Sequence, residues 1–215
     1  MTVYAFMTQE LKAYRTAFFL ALFTVFYNIA EGLLSTYFGL EDESLALFGF
    51  GADSFIEVIS GIGIIYMILR IRKNPESPRS SFERTALRIT GVAFYLLVII
   101  LVLTSIYNIW TGHQPSTTFP GVIISVISIL VMLALVSWKR NIGNKLGSEP
   151  ILADANCTMV CVYMSVILLF SSGLYELFGM LYVDSLGTLG LAFFAGREGS
   201  ECFQKANSEK YCACD

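Results

Sequence analysis

Hydrophobic residues occur in six long blocks separated by short polar segments, and within each block they cover every face of a helix instead of a single stripe. In lipid a stretch of about 20 apolar residues satisfies its backbone only as a helix, so the pattern predicts transmembrane helices. The predicted spans run 16–40, 45–69, 86–110, 117–138, 151–175 and 178–196. The fold class is therefore all-α, a polytopic membrane protein of six helices. The polar amino end from Gln9 to Arg15 lacks the cleavage pattern of a secretory signal and is expected to remain.

Composition agrees with this reading. Of 215 residues, 55% are hydrophobic and 14% charged, which excludes an ordinary soluble domain. The expected organisation is a cytoplasmic amino end at 1–15, a transmembrane domain at 16–196 and a short cysteine-containing cytoplasmic tail at 197–215. Charge placement orients the chain. All 14 basic residues fall before the first span, from the 2–3 connection to Arg88 at the start of span three, in the 4–5 connection, or after the sixth, and the opposite loops have none. Because Lys and Arg accumulate in cytoplasmic loops, both termini are expected in the cytoplasm. Lys139 and Lys205 count here as ordinary cytoplasmic charges. The net charge of −3 gives no reason to expect a nucleic-acid partner.

Ionisable groups inside a bilayer span are costly and rarely idle. Two helical stripes carry them: Asp53-x-x-x-Glu57 in the second span and Asp154-x-x-Cys157-x-x-x-Cys161 in the fifth. Residues three, four and seven apart share a face, so two facing helices can close carboxylates and thiols around one ion. At about 1.5 Å rise per residue, antiparallel packing sets Asp53 near Cys161 and Glu57 near Cys157, within a core of about 30 Å. Asp154 then lies closer to the cytoplasmic mouth, as an entry residue or a helix cap. Glu31 and Asn28 in the first span are further candidates for the path. Glu176 and Asp184 read as interfacial acids, the Glu41-Asp42-Glu43 loop as a solvated turn, and His113 as polar surface. Cys212-x-Cys214 in the tail is either a metal-capturing pair or a plain chain end.

Thiolates favour soft or borderline cations, so zinc or cadmium is the expected ion, and two sulfurs with two carboxylates suit a tetrahedral shell. Metal needs deprotonated donors, and four ionised ligands around a divalent ion would leave net negative charge, so an empty site should hold protons. Metal–proton antiport by alternating access follows.

Four stretches together resemble the cation diffusion facilitator superfamily, in particular its short "cation transporter" branch: Asn28–Gly32, Ser44–Glu57, Ala153–Ala155 with Cys161–Ser165, and Arg197–Gly199. That resemblance implies a secondary transporter and not an enzyme, a homodimer, a cell (inner) membrane location and no resident cofactor. It also implies a transport site of an acidic pair on helix two and a His-x-x-x-Asp on helix five. Asp53 and Glu57 match the first pair, while Cys157 and Cys161 stand at the His and Asp positions. The branch lacks the cytoplasmic C-terminal domain of longer members, and the few residues after helix six fit that pattern. Two other readings stay open from the residues alone: a thiol oxidoreductase using Cys157 and Cys161 as a redox pair, and a non-transporting membrane scaffold.

Overall fold

The computed structural model describes residues 2–74, 81–112, 114–180 and 182–208. These residues form six helices: α1 (Thr2–Glu41), α2 (Leu45–Lys73), α3 (Ser81–Thr111), α4 (Phe119–Leu146), α5 (Glu149–Phe178) and α6 (Val183–Asn207). Five are long and apolar enough to cross a membrane. The sixth falls short because Asp184, Arg197 and Glu198 break its apolar run. At about 1.5 Å per residue its 25 residues still reach about 37 Å, and it packs inside the bundle against α3, α5 and α2.

The helices overrun the apolar blocks mainly at the ends that carry the basic residues. Helix α4 continues past Trp138 to Leu146, and α6 continues past Gly196 to Asn207. Hydropathy marks the part of a helix that sits in lipid, whereas the hydrogen-bond ladder continues into the polar layer until something ends it. In α4 that terminator is Gly147, left-handed at φ 55°. At the other end of the bundle, Gly179 (φ 56°) closes α5 after Phe178, so helix six starts at Val183 and not at Phe178.

The interior mixes polar side chains with apolar clusters around Phe50, Leu101, Met164 and Leu168, while the outward-facing surface of the spans is apolar. Asn28, Glu31, Asp53, Ser128 and Ser165 are buried, while Phe19, Phe23, Phe26, Ile99, Leu103, Ile127 and Leu130 face outward. Water would penalise that arrangement and lipid favours it. Helices pair most closely as α1 with α2, α3 with α6 and α4 with α5. The α1–α2 approach depends on glycine: a Cβ at Gly39 would lie 2.5 Å from the Phe48 nitrogen, and one at Gly51 would lie 2.6 Å from the Thr36 nitrogen. Both are contacts no side chain could make without moving backbone, and small residues at such crossings are how membrane helices come close. A Ser165–Ser128 hydrogen bond of 2.9 Å ties α5 to α4.

Two acids expected to be plain interfacial residues instead fasten helix ends. Asp184 at the start of α6 accepts from Ser44 Oγ (2.6 Å) and from the Leu45 (2.8 Å) and Ala46 (3.4 Å) backbone N–H groups, so it caps α2 from another helix. A carboxylate there answers the unpaired N–H groups of a helix start and the positive end of its dipole. Glu176 at the end of α5 accepts from Thr117 Oγ1 and the Thr118 N–H, holding the start of α4. In the α1–α2 turn the Asp42 carbonyl accepts from the Ser116 N–H at 2.9 Å. Desolvation, then the neighbouring Glu41 and Glu176 charges, push the Asp42 carboxyl above its ordinary range. Replacing Asp184 by alanine strands buried donors and is expected to lower unfolding stability by about 1–3 kcal/mol. Denaturant unfolding in detergent checks this, and an unchanged midpoint would refute the cap.

Candidate metal site

Glu57 of α2 and Cys161 of α5 meet across the helix interface, where the Cys161 thiol donates to Glu57 Oε1. The other oxygen, Oε2, accepts from Asn28 Nδ2 of α1 at 2.8 Å. Three helices thus converge on one carboxylate, and Asn28, almost fully buried, holds it in place. The pairing differs from expectation by one turn, because Glu57 faces Cys161 and not Cys157. The ends of apolar blocks do not fix how far two helices slide along each other. Interlocking of side chains does, and one turn is about 5.4 Å.

That offset has consequences at both ends. Asp53, one turn further from the basic end of the bundle than Glu57, is buried at 2% exposure within Coulombic range of Glu57, Glu31 and Glu198. It does not line the cavity described below, and its Oδ1 has no hydrogen-bond partner among the described residues. Glu31 lies on this outer side too, accepting from Ser54 Oγ at 3.0 Å. Cys157 instead faces the basic end of the bundle, 3.2 Å from Lys205 Nζ of α6. Among the described residues no three His, Cys, Asp or Glu side chains converge tightly enough to enclose an ion as they stand. Glu57 and Cys161 are in contact, Cys157 shares their cavity, and Asp53 sits behind them.

The cavity has a volume of ≈ 90 Å³, room for several waters or a partly hydrated ion. It runs from Asn28, Glu57 and Cys161 past Cys157 to Asp154, Glu198, Cys202 and Lys205. Asp154 also lines it, as half of an ion pair. Lys139 Nζ of α4 lies 3.0 Å from Asp154 Oδ2 and 2.9 Å from Thr158 Oγ1, with the lysine only 2% exposed.

Sequence reasoning missed four of these residues. Lys139 and Lys205 are not the ordinary exposed charges that the sequence suggests: both are buried and each touches a residue of the helix-five stripe. Glu198 and Cys202 were assigned to the tail. A signal was present, since Glu198, Cys202 and Lys205 lie four and seven apart and share one helical face once α6 is carried past Gly196. Cys212 and Cys214 lie outside the described residues, as does His113.

The family model described as the cation efflux transmembrane domain matches residues 16–208, which takes in α1 from Thr16 and all of α2 to α6. No curated protein matches the chain.

Proposed function

Because the chain belongs to the cation efflux family, whose members are membrane transporters and not enzymes, we propose that it exports a divalent transition metal, zinc or cadmium, in exchange for protons. Glu57, Cys161, Cys157 and Asp53 supply the donors, and Asn28 orients Glu57. The observation that carries this reading is the contact between the Cys161 thiol and the Glu57 carboxylate inside a cavity that extends toward the basic, cytoplasmic side. Sulfur with carboxylate oxygen suits a borderline cation and disfavours magnesium or calcium, which want all-oxygen cages.

Proton coupling rests on the same two atoms. In the empty site a hydrogen lies between sulfur and oxygen, and a metal bound to both must take its place. A neutral exchange returns protons as the ion leaves, and alternating access allows the two events to occur on opposite sides of the membrane. The redox reading loses ground, because Cys161 is engaged with an acid and the family transports cations. A homodimer in the cell (inner) membrane, a transmembrane unit of 16–196 and a tail of 197–215 complete the proposal.

In proteoliposomes, zinc and cadmium flux should rise when an inward-directed proton gradient is imposed from the trans side and should collapse when an ionophore dissipates it. Flux that ignores the gradient would overturn antiport while leaving metal transport standing.

A further inference from the structure

A second group of donors sits at the cytoplasmic end of the cavity, about two turns of α5 from the Asp53 level and on a different helix partner. Cys157 of α5 and Glu198 and Cys202 of α6 all line it. Glu198 is 8% exposed, and its Oε1 has no hydrogen-bond partner among the described residues. A buried carboxylate oxygen left without a donor is costly and calls for a cation. Cys202 is 5% exposed and is a free thiol, as is Cys157.

One cation is already there. The Lys205 ammonium lies 3.2 Å from Cys157 Sγ and 3.3 Å from Glu201 Oε2. Lysine is a compact point charge on a flexible stem, which lets it enter and leave a polar pocket by rotation about its side-chain bonds. We infer that Glu198, Cys157 and Cys202 form a second cation position at the inner end of the path, and that Lys205, which already touches its Cys157 donor, competes with cargo for it. The inference rests on the cation-transport reading but not on the Glu57–Cys161 assignment. Its cargo class is a soft or borderline divalent ion, since two of the three donors are sulfur.

The arrangement explains why a positive side chain is buried beside a metal path. Without it, the empty cavity would hold Glu198 and two thiols with only the largely exposed Arg197 as counter-charge. With it, an arriving ion competes with a tethered ammonium, so loading exchanges one cation for another and the cavity is never left without one. Cys157 lies between the inner and outer groups and is a donor to both, which gives the ion a stepwise route from Glu198 toward Glu57.

The test uses the purified full chain in detergent with cadmium as the probe. A small thiol-specific methanethiosulfonate is added with and without the metal, and labelling at each cysteine is read by peptide mass spectrometry. Cadmium is expected to protect Cys202 and Cys157 as well as Cys161. In Glu57→Gln, protection of Cys161 should fall while that of Cys202 persists. In Glu198→Gln the cadmium concentration for half-protection of Cys202 should rise about 10–100-fold. In Lys205→Gln it should drop by about tenfold, or ~1.4 kcal/mol, a direction that a lysine serving only the fold would not give. Protection of Cys161 without Cys202 in the wild type overturns the inner position and leaves the outer one intact. Protection of Cys202 without Cys161 does the reverse, and protection of neither overturns both. Half-protection concentrations for Cys202 unmoved by both α6 substitutions also overturn the inner position.

Discussion

Glutamine in place of Glu57 is expected to cut zinc or cadmium flux by about 100-fold or more with little change in stability. The substitution keeps the shape and the hydrogen bond from Asn28, whose Nδ2 can donate to an amide oxygen as well as to a carboxylate. It removes the one donor that touches both α1 and the Cys161 thiol. Flux in proteoliposomes and thermal unfolding in detergent, measured on the same preparation, separate the two effects. Normal flux in Glu57→Gln would rule the carboxylate out as a ligand. Cys161→Ser gives a graded companion: a hydroxyl is a harder donor, so discrimination of cadmium over manganese should narrow.

The largest effect on stability is expected at Lys139. Lys139→Met leaves Asp154 with no ammonium 3.0 Å away in a largely enclosed site, and breaking a buried pair from one side costs about 3–5 kcal/mol. Adding Asp154→Leu removes the stranded charge and should restore most of the loss, because hydrophobic replacements of buried pairs are often neutral or better. Unfolding midpoints of the wild type, both single variants and the double variant close the cycle. A double variant no better than the worse single one would show that the pair does not act as a unit.

Much of the fold was legible because lipid imposes a simple rule. Every span must be helical and apolar over a set length, so α2 begins at Leu45 as read, and the even helix count followed from the basic loops. The acid stripe stood out for the same reason, since two acids one turn apart in lipid have few inert explanations, and the structure brings Glu57 of that stripe against Cys161. The axial offset of α2 against α5 was not legible, because hydropathy carries no information about how two apolar surfaces interlock. Lys139 and Lys205 were hidden by a rule that usually succeeds. Basic residues near a span end do mark the cytoplasmic side, but a lysine stem is long enough to turn back into the bundle and reach Asp154 or Cys157. Asp184 and Glu176 were misread because a helix cap supplied from a distant helix leaves no local pattern.

The fastenings at the end away from the basic residues set a condition on the transport cycle. Asp184 binds α6 to α2, Glu176 binds α5 to the start of α4, Tyr175 Oη donates to the Pro115 carbonyl, and Ser116 holds the α1–α2 turn. Parting the helices there means breaking the bonds to two carboxylates and two neutral hydrogen bonds together, whereas at the opposite end Lys205 reaches into the cavity on a flexible stem. The bundle is thus a clothes-peg sprung shut at the jaws opposite its basic end, and any transport cycle that opens them must supply the work of breaking those fastenings.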